Sequence, residues 1–476
     1  MPFNDLRDYL RVLDEFDELV TVRKQVDWNL EAAAIMRRCN ERSGPVPLFE
    51  NIKDYPDYRL TSDLLSTFRR FSLALGLDPN CGYGQIVGEY NRRSENHIPP
   101  TLVQTGPCKE NIYKEKDVDL FKLPVPLIHE GDGGRYIGTL NVGVIKDPDS
   151  NWVNWGIYRV MAHDANTAGI FMQPSQHGDS IYQKYEKENR PMPFAAFIGG
   201  DPLVYVAAAT GLPYGTSEVN VVGGLREAPL EVVKCETLDL EVPATSEIVI
   251  EGEILPHVRK DEGPFGEYTG YQMRDVFPRP VIRVKAITHR RNPILTVDAE
   301  GIPVVMDHII ASVTRSGEIK KVLLSAGLPI TEVYIPPESA NHMIVIATQR
   351  TRYPVAFKIA ACVWANKSGH HIPHVIVVDD DVDPTNMPEV IHAFSTKCHP
   401  GRGITVVENT FVSQLTPFLD PDERRSLRGA FVLYDCTWPV DWTTAQIPVK
   451  ASFRTIYPEN LQERVLANWK EYGFKD

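Results

Sequence analysis

The first 75 residues alternate between helical and strand-like hydrophobic patterns. Apolar residues recur at intervals of three and four over positions 4–17, behind Asn4, a residue suited to cap a helix. A second helix is predicted at 29–41. Residues 76–100 are polar and irregular, which indicates a boundary. We therefore predict a small N-terminal α/β part over residues 1–100.

The texture changes at about residue 101. Short runs typical of strands follow one another, separated by Gly, Pro, Asn and Asp, with little helical pattern between them. This arrangement predicts a β-barrel or β-sandwich over residues 101–314. The clearest runs are TLNVGVI (139–145), NWGIYRVM (154–161), EIVIEGEIL (247–255) and RPVIRVKAI (279–287).

Helices and strands alternate over residues 315–476, which predicts a C-terminal α/β domain. KKVLLSAG (320–327) and MPEVIHAFST (387–396) are helical in pattern, and HVIVVDDDVD (374–383) is typical of a buried strand that ends in acids. A closing helix is predicted from 458 to about 472.

Composition narrows the class of partner. A length of 476 residues suits two or three domains, and 43% apolar and 24% charged residues are ordinary for a soluble globular protein. The net charge of −13 without a basic block argues against nucleic acid or an anionic membrane as partner. An anionic small ligand would then need help from arginine or from a metal ion.

Location follows from the absence of targeting patterns. The N-terminal pattern is an amphipathic helix and not a secretory signal, and no apolar run approaches a membrane span. The seven cysteines are scattered without a CxxC pair, which is typical of reduced thiols. We therefore expect a cytoplasmic protein with neither a zinc site nor a disulfide framework.

Three stretches have polar residues that could bind a ligand. NWGIYR (154–159) is a strand-like run with Asn154 and Arg159 at its ends, QPSQHGDSIY (173–182) places His177 in a loop beside Gln176, and Glu218 precedes the strand-like run VNVVGG. Each has a structural alternative: a turn asparagine, a surface arginine, a structural histidine or a solvated glutamate. Asn154, His177 and Glu218 together would offer amide, imidazole and carboxylate ligands, which suit Mn²⁺ or Mg²⁺.

A fourth stretch, EGPFGEYTGY (262–271), places Glu262 and Glu267 at the two ends of Gly-Pro-Phe-Gly. Glycine and proline at these positions predict a turn and no regular element. A surface turn with two solvated acids is the structural alternative. The aromatic residues of the stretch favour instead a turn that faces a pocket.

Other signals are weaker. GDGGRYIG (131–138) lacks the helix that should follow a dinucleotide-binding fingerprint, and neither G-x-S-x-G nor a P-loop is present. GHHIPH (369–374) leads directly into a strand and is interpreted as structural or interfacial, and DDDVD (379–383) as a solvated loop.

The chain resembles the UbiD-type decarboxylases that use prenylated FMN. The resemblance rests on four stretches and their order along the chain: NWGIYR, QPSQHGDSIY, Glu218 with VNVVGG, and EGPFGEYTGY. The resemblance covers nearly the whole chain and implies an α+β architecture in three parts. A central split β-barrel, similar to flavin reductases, would hold the flavin. A small N-terminal α/β part would pack on it, and a C-terminal α/β domain would cover the site and form homodimers or hexamers. A flavin prenyltransferase would supply the cofactor.

The resemblance also implies roles for individual residues. Asn154, His177 and Glu218 match the ligands of a divalent metal, Mn²⁺ or similar, that bridges to the flavin phosphate. The backbone oxygens of Trp155 and Ala207 match positions that hold K⁺. Flavin contacts are implied for Gln176, for Gly156, Ile157, Tyr158 and Arg159, and for Lys397, with Arg402 as the alternative to Lys397.

Arg159, Glu262 and Glu267 match the catalytic trio of the family. Loss of CO₂ from an aryl or vinyl carboxylate leaves charge that no side chain can absorb, so a cofactor must act as electron sink. Arg159 would pair with the substrate carboxylate, Glu262 would orient Arg159, and Glu267 would protonate the carbon that lost CO₂.

The substrate is less defined. The predicted loop VVMDHII (304–310) would form part of the pocket, where Asp307 and His308 would make it polar unless they face solvent or hold the loop. A hydroxybenzoate, or an indole, pyrrole, furan or phenazine carboxylate, is expected, in either reaction direction. A metal-dependent hydrolase and a non-catalytic flavin-binding subunit of a larger carboxylase are the alternatives.

Overall fold

The structure is a computed structural model that describes residues 3–475, so the outermost limits of the predicted terminal domains lie outside it. Helix α1 begins after Asp5, whose side chain accepts a hydrogen bond from the Asp8 amide; this corrects the prediction that Asn4 is the cap. The N-terminal elements are α1 (Leu6–Glu15), β1 (Leu19–Val22), α2 (Glu31–Asn40), β2 (Val46–Phe49), β3 (Arg59–Ser62), α3 (Phe68–Ala74) and α4 (Tyr83–Ser94).

Helix α4 corrects the prediction of an irregular boundary at 76–100. Its buried residues Ile86, Val87 and Tyr90 follow a helical spacing and pack on a C-terminal helix and on another from the central region. The polar composition around them concealed this pattern.

The central region is rich in strands, as predicted. Most of them form one antiparallel nine-stranded sheet in the order β6-β9-β10-β17-β14-β11-β7-β8, with β5 paired to β17. The strands are β4 (Thr101–Leu102), β5 (Asn111–Lys114), β6 (Tyr136–Gly138), β7 (Val142–Lys146), β8 (Val153–Gly156), β9 (Arg159–Ala162), β10 (Thr167–Phe171), β11 (Met192–Ile198), β12 (Glu231–Lys234), β13 (Glu241–Pro243), β14 (Ile248–Glu262), β15 (Phe265–Gly266), β16 (Gln272–Met273), β17 (Phe277–His289) and β18 (Ile294–Val297).

Three helices interrupt these strands, against the prediction of little helix: α5 (His177–Lys187), α6 (Leu203–Ala209) and α7 (Glu218–Arg226). Helix α7 replaces the strand predicted after Glu218. Its residues Val221, Val222 and Leu225 are buried in contact with α4 and α6, so tertiary packing outweighs the strand preference of valine.

Strand β18 leaves the barrel and joins the N-terminal strands in the sheet β1-β2-β3-β18, where it pairs in parallel with β3. The short strands form the sheets β13-β12-β4 and β15-β16. The α+β class with a central split β-barrel is confirmed.

The C-terminal region is built on a mixed sheet in the order β19-β20-β21-β23-β22. Helices α8 and α9 pack on one face of this sheet and α10 on the other. The elements are α8 (Met306–Ser325), β19 (Ile330–Tyr334), β20 (Met343–Thr348), α9 (Ala356–Trp364), β21 (His374–Asp379), α10 (Met387–Lys397), β22 (Ile404–Phe411), α11 (Pro421–Ser426), β23 (Arg428–Cys436), α12 (Phe453–Ile456) and α13 (Glu459–Ala467).

Helix α8 extends further toward the N-terminus than the sequence pattern indicates. It contains most of 304–310, which was predicted as a loop, and it spans the domain limit predicted at 314. The described residues contain no helix that is long and apolar enough to cross a membrane.

Candidate active site

A cavity of about 270 Å³ lies between the split barrel and the C-terminal domain. All six residues of NWGIYR line this cavity. Strand β8 ends and β9 begins within this run, so Ile157 and Tyr158 lie between the two strands. Gln176, His177, Glu218 and Glu267 line it as well, and the C-terminal domain contributes residues of α8 and of three loops.

Arg159 is held by both glutamates of the predicted trio. Its Nε and Nη2 donate to the two carboxylate oxygens of Glu262 at 2.9 and 2.7 Å, and its Nη1 donates to Glu267. Glu262 also accepts a hydrogen bond of 2.8 Å from the Tyr136 hydroxyl. The structure thus brings the three residues together, but only Arg159 and Glu267 line the cavity; Glu262 lies behind Arg159 and is 1% exposed.

The electrostatics distinguish the members of this trio. Burial raises the pKa of Glu267, and the nearby Arg159 opposes that rise. Burial alone would lower the pKa of Arg159, but Glu267 and Glu262 outweigh it and raise the pKa, so the guanidinium stays charged. Glu267 is therefore suited to hold a proton at the cavity surface.

The turn between the two glutamates is held in place by Asp132. This side chain accepts hydrogen bonds from the Gly266 amide at 3.0 Å and from Gln272 Nε2 at 2.9 Å. Gly263 has φ +94°, a conformation that favours glycine. Asp132 belongs to the glycine-rich stretch GDGGRYIG, for which the sequence predicts no role, and it positions Glu267.

The predicted metal ligands meet at the same cavity. Asn154 Nδ2 donates to Glu218 Oε1 at 2.8 Å, the Trp155 amide donates to Glu218 Oε2 at 2.8 Å, and the Tyr158 hydroxyl donates to Asn154 Oδ1 at 3.0 Å. His177 is the first residue of α5 and does not lie in a loop as predicted.

Tyr158 has room to reach Asn154 because Gly178 has no side chain. A Cβ atom at Gly178 would lie 2.5 Å from the Tyr158 hydroxyl oxygen. Glycine at this position, directly after His177, therefore keeps the phenol beside the predicted ligands.

The chemistry of this set fits a divalent cation. Glu218 is 2% exposed and forms no ion pair with any residue of 3–475, and burial raises its pKa to about 8. A bound cation would compensate that buried carboxylate. Burial lowers the pKa of His177 to about 4, which keeps the imidazole in the neutral form that binds metals. The described residues contain no cluster of three or more His, Cys, Asp and Glu that could hold a metal, so the set depends on the Asn154 amide.

Lys397 does not reach this cavity, which corrects its predicted place. It ends α10, on the sheet face opposite α8 and α9, where its Nζ lies 3.0 Å from Asp379 and 2.9 Å from Asp381. Lys397 and its alternative Arg402 line a different cavity at the carboxyl ends of β20, β21 and β23. Asp379 is buried here, so the first residue of DDDVD is not solvated as predicted.

Lys367, and not Lys397, lines the cavity that contains the predicted metal ligands. Its Nζ donates to the Ser175 carbonyl at 2.5 Å. Burial lowers the pKa of Lys367. The low pKa of His177 is due first to burial and second to the charge of Lys367. His370 and His371 line the same cavity. These two histidines belong to the stretch GHHIPH, for which a structural or interfacial role is predicted.

The predicted potassium positions differ in their placement. Trp155 lines the cavity, whereas Ala207 is buried in α6, with its carbonyl accepting a hydrogen bond from the Thr210 amide at 3.2 Å. Its neighbours Ala208 and Ala209 line the cavity.

Asp307 and His308 have different surroundings. Asp307 lines the cavity, but His308 is fully buried and does not. His308 Nδ1 accepts from the Val305 amide at 2.9 Å and Nε2 lies 2.8 Å from the Tyr268 carbonyl. His308 therefore joins the start of α8 to the segment after Glu267, which is the structural alternative.

The fold and this site define an enzyme class, the carboxy-lyases. Three family models of 3-octaprenyl-4-hydroxybenzoate carboxy-lyase match the chain: the N-terminal domain over residues 10–89, the Rift-related domain over 101–303 and the C-terminal domain over 308–436. The chain belongs to the UbiD family of decarboxylases.

Individual relatives agree with this assignment. Pyrrole-2-carboxylic acid decarboxylase of Pseudomonas aeruginosa is 35% identical over 490 residues, which cover 99% of each chain. The closed form of vanillic acid decarboxylase from Sedimentibacter hydroxybenzoicus superimposes with a TM-score of 0.90 at 31% identity over 100% of both chains. An evolved dimeric form of the UbiD-class enzyme HmfF from Pelotomaculum thermopropionicum, in complex with prFMN, gives a TM-score of 0.79 at 30% identity over 94% of this chain and 97% of that chain.

Proposed function

We propose that this enzyme decarboxylates an aromatic or heteroaromatic carboxylic acid with prenylated FMN bound in the cavity. The main support is the arrangement of Arg159, which Glu262 holds from behind while Glu267 meets it at the cavity surface. The relatives described above, which include a complex with prFMN, support the same chemistry.

The cavity offers suitable groups for such a cofactor. A Mn²⁺ ion held by Asn154, His177 and Glu218 would link the acidic protein to a phosphate, and Lys367 would add a positive charge nearby. Gln176 and the run 156–159 would contact the flavin, and K⁺ at Trp155 and Ala207 remains a prediction. When bound, prenylated FMN supplies the electron sink that decarboxylation of an aryl carboxylate needs.

Arg159 binds the substrate carboxylate with the part of its guanidinium that remains accessible. Glu262 occupies Nε and one hydrogen of Nη2, so the substrate carboxylate approaches from the side of Nη1, where Glu267 now lies. Because the substrate competes with Glu267 for this group, binding weakens the contact that lowers the pKa of Glu267. Substrate binding therefore favours the protonated form of Glu267.

Glu267 then protonates the carbon that lost CO₂. One proton enters the product at each turnover, and the carboxylate of Glu267 is left to be protonated again. Glu262 keeps Arg159 oriented through the two hydrogen bonds that it accepts. In the reverse direction the same carboxylate would remove the ring proton.

The proposed substrates are hydroxybenzoates and indole, pyrrole, furan or phenazine carboxylates. We also propose that the protein is a cytoplasmic homo-oligomer assembled through the C-terminal domain.

The experiment is co-expression with a flavin prenyltransferase, followed by a screen of aromatic acids for CO₂ release and for exchange of the ring proton in D₂O. Flavin absorbance together with exchange is the expected result. Turnover of a substrate with metal alone and without flavin would favour a metal-dependent hydrolase. Bound flavin without exchange on any acid would favour a non-catalytic subunit.

A further inference from the structure

Arg315 faces the catalytic cavity from the C-terminal domain and has no polar partner among residues 3–475. Arg315 lies on α8, two turns after Asp307 and about 12 Å along the helix axis. Both residues line the cavity. Within residues 3–475 the Arg315 guanidinium forms no hydrogen bond and no ion pair, whereas Arg159 is held by two glutamates. The N–H groups of this guanidinium can therefore donate hydrogen bonds to an oxygen atom of a ligand in the cavity.

A buried acceptor without a partner lines the same cavity. Asn341 is 3% exposed, and its Nδ2 lies 3.5 Å from Asp307 Oδ2, while no group of the described chain donates to its Oδ1. The Nδ2 end of the amide therefore faces the Asp307 side chain, and the Oδ1 end does not. Asn341 Oδ1 is therefore a buried acceptor for which residues 3–475 provide no donor.

The backbone at this position is also unusual. Asn341 has φ +62° and Ala340 has φ +49°, so two successive residues other than glycine adopt the left-handed conformation. Such a conformation persists where the surroundings require it, and it is frequent at binding sites. Here it buries the Asn341 amide in the cavity wall and does not leave it in solvent.

This wall adjoins the proposed proton donor. Tyr268 directly follows Glu267, and its ring stacks on that of His342, with centroids 6.4 Å apart. His342 in turn follows Asn341. A ring whose carboxylate is held at Arg159 would thus extend toward Arg315 and Asn341.

We propose that Arg315 and Asn341 form a recognition site for a hydroxyl group on the substrate ring. This inference rests on the proposed function and specifies its substrate. A hydroxyl oxygen accepts from Arg315 while its proton is donated to Asn341 Oδ1, so both unpartnered groups are satisfied by one substituent. A second carboxylate would only accept, and a pyrrole or indole N–H would only donate. The enzyme consequently prefers hydroxylated aromatic acids to the matching acids without the hydroxyl.

The test compares benzoate, 4-hydroxybenzoate, 3,4-dihydroxybenzoate and terephthalate on the flavin-loaded enzyme, by kcat/KM and by equilibrium dialysis. We expect the wild-type enzyme to favour the hydroxylated acids by about tenfold to a hundredfold. Arg315→Met and Asn341→Leu should each reduce this preference to about threefold or less, because kcat/KM falls more for the hydroxylated acids than for benzoate. Lys321→Met, on the same helix and paired with Glu318 at 2.9 Å, is the matched control.

Dialysis separates this inference from the proposed function. Hydroxyl-dependent binding that Arg315→Met abolishes supports the recognition site even if no acid is decarboxylated. A preference that survives both substitutions overturns it. Tighter binding of terephthalate than of 4-hydroxybenzoate overturns the hydroxyl assignment, because a second carboxylate would then be the recognised group.

Discussion

Arg159 donates two hydrogen bonds to Glu262, at 2.9 Å from Nε and at 2.7 Å from Nη2, and so presents only its remaining edge to the cavity. The two residues are separated by 103 positions in the chain and join strand β9 to the end of β14. This pairing makes the two glutamates unequal, because Glu262 is fixed behind Arg159 while Glu267 can exchange its contact for substrate.

Glu267→Gln should abolish proton delivery but not cofactor binding. An amide of the same shape has no acidic proton, so we expect kcat to fall by about 10²- to 10⁴-fold. Flavin absorbance of the purified variant should equal that of the wild type. Glu130→Gln, at an exposed residue, should leave both quantities unchanged. Retained decarboxylation by the Glu267 variant would remove the proton-donor role.

Tyr136→Phe tests the support behind the arginine. It removes the hydroxyl that donates to Glu262 at 2.8 Å within the core. We expect the free energy of unfolding to fall by about 1–3 kcal/mol. We also expect kcat/KM to fall about tenfold, equivalent to about 1.4 kcal/mol of transition-state stabilisation. Denaturant unfolding and steady-state kinetics measure the two effects. Unchanged kinetics would show that Arg159 keeps its orientation without this bond.

The pH dependence of kcat should reflect the acid form of Glu267. Burial raises the pKa of this carboxyl above its ordinary value of 4.5, and proton donation needs the protonated form. The rate should therefore decline as pH rises through the raised pKa. Because the pKa of Glu267 is higher in the folded state than in the unfolded state, its contribution to stability is also lost as the pH rises through the folded-state pKa. A rate that increases across this range would contradict the assignment.

Lys367 and Lys397 form a matched pair for the flavin contact. Lys367→Met should reduce flavin retention at least about tenfold, since one charge-assisted hydrogen bond to an anion is worth about 1.5–3 kcal/mol. Lys397→Met should retain flavin but lower the free energy of unfolding by about 1–3 kcal/mol, because Asp379 loses its buried partner. Flavin absorbance and thermal unfolding separate the two outcomes. The reverse pattern would restore Lys397 to the site.

Metal binding should depend on Glu218. Mn²⁺ added to the metal-free protein at 100 times its Kd should stabilise the folded state by about 2.7 kcal/mol, visible as a higher Tm. Glu218→Gln should show no such shift, and neither should wild-type protein in excess chelator. An equal shift in the Glu218 variant would place the ion elsewhere.

Much of the fold followed from local patterns because strands and turns have short-range signatures. The runs at 247–255 and 279–287 became β14 and β17, and helix α10 lies where predicted. Helices α4 and α7 were missed for the opposite reason, since their apolar faces are formed by packing on each other and on their neighbours, and neither composition nor valine content reveals such packing.

The sequence by itself determined the chemical groups and their local constraints: an arginine in NWGIYR, two glutamates at the ends of a glycine-proline turn, and an order of stretches that indicates the family. Only the tertiary structure decided which glutamate faces the cavity and that Lys367, not Lys397, lies beside His177. The reason is physical. Turn and strand preferences act over a few residues, whereas burial, charge pairing and the face of a sheet depend on contacts between segments far apart in the chain.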